Sequence, residues 1–350
     1  MSDFIIQTNT IKDTNTVPSE LQIDPRIIYR ELKEVEKTVQ GIIEKVMKEG
    51  DSGLRELTEQ FDHCLINDFI IPKSELEYAW HRIKPEFRDT VELIVQTVRD
   101  FHNKQSEHSK CFSRNQSILG EIISPIDSVA AYVPGGRASY PSSVIMTVIP
   151  AQIAGVKNIL LLTPPNSNGV VSSDILGIAH YLGINKVVRA GGAQAIAAIA
   201  FGTESIPRVD KIVGPGNIYV TVAKRLLFGI IGIDSLAGPS EVVIIADEDC
   251  RPDWVALDLL AQAEHYPLSR AILFSTSDEV IIQVQKSIQK ELIDHPLPFK
   301  KTIPIYLFQV DNLLSAFELT NKIAPEHLEL CCADHLRLLP LIQHAGAIFL

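Results

Sequence analysis

Between Pro25 and His102 apolar side chains recur every three or four positions, with Ile28, Leu32, Val35, Val39, Ile42 and Val46 forming one stripe among charged residues. That spacing matches the helical turn and predicts an amphipathic helical region. Gly50-Asp51-Ser52 ends the first long helix, Asp51 or Ser52 can cap the next, and Pro85 suits the first turn of another. After Ser117 the pattern changes to short apolar runs. Residues 128–133, 158–163, 186–189 and 211–213 read as strands, and small-residue amphipathic segments between them read as helices. A second series begins at Glu241, with strands expected at 242–246, 270–275, 304–308, 328–331 and 347–350 and helices at 252–264 and 278–292. Strands alternating with helices build parallel sheets, so the fold class is α/β, and the similar rhythm of the two series hints at an old internal repeat.

Composition narrows the functional classes. The 350 residues suggest about two domains, and 46% hydrophobic content supports a substantial core. A formal net charge of −11 offers no basic field for a phosphate backbone, which argues against nucleic acid as a partner. Residues 1–10 lack the basic and apolar regions of a signal peptide, and the longest apolar stretch, 144–156, is interrupted by Thr147, Pro150 and Gln152. A soluble, cytoplasmic protein with no membrane partner is expected. Cys64, Cys111, Cys250, Cys331 and Cys332 form no C-x-x-C pair and suit reduced thiols. Trp80 and Trp254 lie in helical segments and read as core residues.

Four turns fall where strands hand over to helices: Pro134-Gly135-Gly136, Gly191-Gly192-Ala193-Gln194, Gly214-Pro215-Gly216-Asn217 and Ala237-Gly238-Pro239-Ser240. In open parallel sheets this edge forms the ligand crevice, where glycine lets backbone N–H groups approach an anion. Each turn alone fits simple chain reversal better, but four in succession point to a nucleotide cofactor. No G-x-G-x-x-G with an acidic residue about 20 positions on is present, so any such binding departs from the usual dinucleotide fingerprint.

Two further constellations carry candidate chemistry. Gln262 and His265 are spaced i, i+3 near the end of the 252–264 helix, so an amide carbonyl and an imidazole share a face and could reach one metal ion; a helix-end histidine also serves the helix dipole alone. In Ala324-Pro325-Glu326-His327-Leu328 a carboxylate and an imidazole stand side by side before an apolar strand, giving two proton-transfer groups of different intrinsic pKa, or an exposed loop pair.

Taken together, Tyr132-Val-Pro-Gly-Gly, Tyr140-Pro-Ser-Ser, Gly191-Gly-Ala-Gln, Val213-Gly-Pro-Gly-Asn, Gly232-Ile-Asp, Ala237-Gly-Pro-Ser-Glu, Gln262-Ala-Glu-His and Ala324-Pro-Glu-His resemble the histidinol dehydrogenase family in order and spacing, from about residue 25 onward. The resemblance implies two incomplete Rossmann-like parallel-sheet domains with an N-terminal helical region. Residues 1–24 would be an extension, 25–131 plus 242–350 one domain, and 132–241 an inserted, NAD-contacting domain. It implies oxidation of L-histidinol to L-histidine through the aldehyde with two NAD, dependent on zinc, in the last steps of histidine biosynthesis.

By match to the family's motifs, Gln262 and His265 would bind zinc and neighbour the substrate, and Ser240 and His327 would contact substrate. Tyr132, Gln194 and Asn217 would touch NAD. His327 would take the alcohol proton and Glu326 would activate water. Family members form homodimers and continue past Gly346-Ala-Ile-Phe-Leu into a segment that brings an Asp and a His to zinc. On this resemblance the 350-residue chain is expected to bind zinc weakly and turn over poorly. The alternatives are a truncated, non-catalytic relative that only binds nucleotide, and a different NAD-dependent alcohol or aldehyde dehydrogenase.

Overall fold

The structure is a computed structural model that describes residues 5–22, 25–135, 139–236, 241–263, 269–295 and 304–350. The chain divides into two compact units, residues 25–237 and residues 1–24 with 238–350. It opens with a strand, β1 (Ile5–Ile11), followed by the long helix α1 (Pro25–Asp62). The expected stripe of α1 faces inward: Val39, Ile42 and Val46 are buried, and Leu32 and Val35 pack against the same core. At Gly50 the helix bends, with φ +56° and ψ −131°. A Cβ at Gly50 would come within 2.4 Å of Glu204 Oε2. That carboxylate accepts the Asp51 N–H at 2.7 Å, and the Ser205 hydroxyl donates to Asp51 Oδ1 at 3.0 Å. The helical segment after the bend is therefore capped by a residue far along the chain.

The rest of the 25–237 unit runs through β2 (Ile70–Ile71), α2 (Lys73–Arg82) and α3 (Pro85–Asn103), which starts on its proline as expected. A separate antiparallel hairpin, β3 (Lys110–Arg114) with β4 (Ser117–Glu121), is exposed along both strands. Then come β5 (Ser128–Tyr132), α4 (Pro141–Ile153), β6 (Asn158–Thr163), α5 (Ser173–Tyr181) and β7 (Lys186–Arg189). The unit closes with α6 (Gly192–Phe201), β8 (Lys211–Val213), α7 (Ile218–Leu227) and β9 (Gly232–Ile233). Its sheet has the order β2-β7-β6-β5-β8-β9, parallel except for β2. Alternate strand residues pack on opposite faces: Ala130, Leu160, Leu162 and Val188 against α1, α6 and α7, and Ala131, Leu161 and Val187 against α2 to α5.

The second unit contains β10 (Glu241–Ala246), α8 (Pro252–Ala263), β11 (Arg270–Ser275), α9 (Asp278–Asp294), β12 (Pro304–Val310), α10 (Leu313–Ile323), β13 (His327–Cys331) and β14 (Ala347–Phe349). Its order is β1-β12-β11-β10-β13-β14, all parallel. Setting β1 and β2 aside, both sheets begin at a central strand, β10 or β5, run two strands outward, then cross back to the other side. The repeat suggested by rhythm is thus matched in topology.

Three expectations change. Residues 5–11 are an edge strand paired with β12 from Ile5↔Pro304 to Ile11↔Val310, within what was expected to be an N-terminal extension. An edge strand packs only in part, so its polar Gln-Thr-Asn-Thr centre gave no apolar run to read. The domain division also moves. Residues 25–131 belong with 132–237, because β5 pairs with both β6 and β8 and α1 shares a core with α6 and α7. Trp80 packs as expected, stacked on Tyr181 at 4.8 Å, but Trp254 is 60% exposed with the Arg251 guanidinium over its ring. Among the described residues no helix is long and apolar enough to cross a membrane.

Phe274 and Phe308 are fully buried and stack at 5.8 Å between adjacent strands. Phe274→Ala should cost ~3–5 kcal/mol, read as an earlier denaturant transition for the unit that contains it; an unchanged midpoint would show that this core collapses around the gap.

Candidate active site

In the 25–237 unit the chain order reverses between β5 and β8, so the crevice at the C-terminal ends of these strands is the topological switch point, the usual ligand seat of such sheets. The residues expected to touch a nucleotide gather around it. Tyr132 ends β5, is buried, and accepts the Gly192 N–H on its hydroxyl at 3.2 Å; burial pushes its phenol up to about 12. Gln194, two residues into α6 and also buried, directs Nε2 toward Asp62 Oδ2 at 3.5 Å. Asn217 caps α7, its Oδ1 accepting the N–H groups of Tyr219 and Val220 at 3.1 Å each, while no described hydrogen bond engages its Nδ2.

The Gly214 turn is tightly specified. Gly214 has φ +114°, and a Cβ there would lie 2.1 Å from the Tyr132 carbonyl oxygen. Its N–H donates to Asp234 Oδ2 at 2.7 Å, and its carbonyl accepts from Lys224 Nζ at 2.5 Å. Lys224, almost wholly buried, also donates to Asp234 Oδ1 at 2.8 Å. Burial pushes the Asp234 carboxyl up, but the Lys224 ammonium and the Gly214 N–H outweigh it and hold the carboxyl below its usual range.

The second unit brings the other two constellations together. Gln262 near the end of α8 and His327 at the start of β13 line one cavity of about 150 Å³ with Val242, Asp258, Ala261, Glu329 and Phe349. His327 Nδ1 lies 3.4 Å from Gln262 Oε1, and the Phe349 ring meets the imidazole edge-on at 5.7 Å. Gln262 Nε2 is buried without a partner, a costly state for an amide unless something else occupies the cavity.

Glu326 is placed by its backbone. Ala324 ends α10 in the left-handed region, its N–H on the Thr320 carbonyl at 2.8 Å, and Pro325 prevents the helix from continuing. Gly346 N–H then binds the Pro325 carbonyl at 3.0 Å and Ala347 N–H the Glu326 carbonyl at 2.8 Å. A Cβ at Gly346 would sit 2.7 Å from that Glu326 oxygen, so glycine permits the approach. The Glu326 side chain is exposed.

Sequence reading missed Asp258 and Glu329, although periodicity holds the clue. Asp258 stands four residues before Gln262 on a helix and Glu329 two after His327 on a strand, so each shares a face with a chosen residue. Burial first, then the neighbouring Asp258 carboxylate, pushes Glu329 up to about 7, so near neutrality the pair carries less than its full double negative charge. Asp62, Lys224 and Asp234 were also missed, and only Asp234, within Gly232-Ile-Asp, lay in a quoted motif. Ser240 and His265, with the Ala237-Gly-Pro-Ser turn, lie outside the described residues. Among the described residues no three His, Cys, Asp or Glu side chains are grouped to hold a metal ion.

The model of the histidinol dehydrogenase family matches residues 28–350. The chain belongs to the histidinol dehydrogenase family. Histidinol dehydrogenase 2 of Trichormus variabilis is 43% identical over 342 residues, covering 95% of this chain and 79% of that protein. Histidinol dehydrogenase of Listeria monocytogenes is 43% identical over 347 residues, covering 98% and 78%. The crystal structure of histidinol dehydrogenase from Elizabethkingia anophelis superposes with a TM-score of 0.84 at 31% identity, covering all of this chain and 80% of that one. Membership in the histidinol dehydrogenase family makes the chain an oxidoreductase of histidine biosynthesis.

Burial lifts the Asp62 carboxyl to about 6 from 3.8, against a smaller opposing effect of His63. The folded state therefore binds this proton more tightly, and stability falls as pH rises between about 4 and 6. Asp62→Asn should raise the melting temperature by a few degrees at pH 7.5, with the gain vanishing near pH 4; an equal gain at both values would mean that ionisation is not the cause.

Proposed function

We propose that this chain oxidises L-histidinol to L-histidine through L-histidinaldehyde, using two NAD and zinc, as a cytoplasmic homodimer. The observation that carries this reading is the meeting of Gln262 and His327, 65 residues apart in sequence, in one cavity with the partnerless Gln262 amide nitrogen. The negative charge shared by Asp258 and Glu329 on the same cavity suits a substrate that brings an ammonium group.

Zinc fits the donor chemistry: Gln262 Oε1 keeps a second lone pair beyond its contact with His327, and His265 would join it as a ligand. When bound, zinc supplies a positive charge that orients the imidazole and amino groups of the substrate. NAD fits the switch-point crevice of the 25–237 unit, where α6 and α7 begin and Asn217 keeps its amide nitrogen free of described bonds. When bound, NAD supplies the hydride acceptor for both oxidations.

The chain's own groups handle the protons. With Nδ1–H donating to Gln262 Oε1, His327 presents Nε2 as a lone pair that takes the alcohol proton as hydride departs. Glu326, exposed on a rigidly held backbone, then removes a proton from the water that adds to the aldehyde. Ser240 and His265 would contact the substrate. Tyr132 and Gln194 shape the nucleotide seat.

The purified chain with added zinc, NAD and L-histidinol should yield two NADH per substrate consumed. His327→Gln should slow the first oxidation by about 10²–10⁴-fold. Glu326→Gln should spare that step and drop the yield toward one NADH, with aldehyde trapped by a carbonyl reagent. Absence of NADH from the zinc-loaded chain would overturn the proposal.

A further inference from the structure

Lys224 and Asp234 have no part in the chemistry above, yet both close on one residue, Gly214, through the peptides on its two sides. Lys224 belongs to α7, and helical side chains lean toward the N-terminus, so its long stem carries Nζ back past the first turn of its own helix to the Gly214 carbonyl. Asp234, just after β9, takes the Gly214 N–H from the other side. With the Lys224–Asp234 contact at 2.8 Å, one ion pair holds both polar groups of Gly214 and closes a ring of three hydrogen bonds.

Fold stability is a weak reason for this arrangement. Burying the Lys224 ammonium against a partly exposed carboxylate costs several kcal/mol that the pairing offsets only in part, and apolar replacement of such a buried charge is often no less stable. What the pair provides is fixed geometry at a peptide that needs it. Gly214 occupies φ +114°, open only to glycine, and lies against the Tyr132 backbone at the switch point. A backbone held there persists only when its surroundings specify it more than once. Three residues on, Asn217 begins α7, so any rotation of the Gly214 peptide displaces the helix start and the Asn217 amide together.

We infer that Lys224 and Asp234 are positioning residues that hold the Gly214–Asn217 turn in the conformation that receives the nucleotide cofactor. The inference rests on the proposed NAD seat at this crevice. It gives the Gly232-Ile-Asp motif a role: its carboxylate acts on the cofactor through the Gly214 peptide.

The test is calorimetric titration of NAD into the intact protein, the single variants Lys224→Met and Asp234→Asn, and the charge-free double variant that combines them. Asp234→Asn leaves the buried Lys224 ammonium without its counter-ion, so the double variant is the decisive one. It should melt within a few degrees of the parent yet bind NAD at least tenfold more weakly, with KM for NAD rising far more than kcat falls. Arg225→Met serves as the control, because it removes the neighbouring α7 ion pair to Glu36 at 2.8 Å, which does not touch Gly214. It should leave NAD affinity unchanged. Parent-like affinity in the double variant, or an equal loss in Arg225→Met, would overturn the inference. Failure of the parent chain itself to bind NAD would instead remove the cofactor seat on which the inference stands, a result distinct from both.

Discussion

A pair of parallel strands cannot be joined by a tight turn; the chain must travel back, usually through a helix, before the next strand can begin. In both units it does this twice outward from a central strand and then returns to the vacant side, so that β8 lies beside β5 and β13 beside β10. That return governs the placement of both candidate sites. It parts the flanking helices where the order reverses, and it sets residues distant in sequence into register, as with Val242 opposite His327 and His327 opposite Ala347.

The two units use opposite edges of the same topology. In the 25–237 unit the chosen residues stand where strands end and helices begin, beside Tyr132 and Gly214. In the other unit Gln262 is near the end of its helix and His327 opens its strand, so the cavity sits at the strand starts. The strand ends of that sheet carry sulfur instead. Burial, with acidic neighbours adding to it, pushes the thiols of Cys250, Cys331 and Cys332 up to about 11, 12 and 12, which keeps them neutral and unreactive.

Much of this was legible from period and punctuation. The strands of both series, the bend near Gly50 and the start of α3 at Pro85 follow from alternation, glycine and proline. What escaped has physical causes. β1 is an edge strand with polar residues along its centre, and its partner β12 lies some 300 residues away. The hairpin of β3 and β4 buries no face, so no apolar alternation marks it. The domain division failed because strand pairing, invisible in one sequence, decides which side of a boundary β5 joins. Within the site, Gln262 and His327 meet in one cavity, but the carboxylates around them needed geometry. Asp258 and Glu329 share faces with them, whereas Lys224 and Asp234 reach the nucleotide crevice only through the Gly214 backbone.

The bend in α1 also bears on how the protein folds. Most helices can form from their own residues within microseconds, because each bond spans four positions. The segment beginning at Asp51 draws one of its caps from Glu204, 153 residues downstream, and the glycine that allows the bend faces the same carboxylate. The first helix to leave the ribosome therefore waits for one of the later loops of its unit before its shape is final, and its two halves stay free to realign until most of that unit has been synthesised.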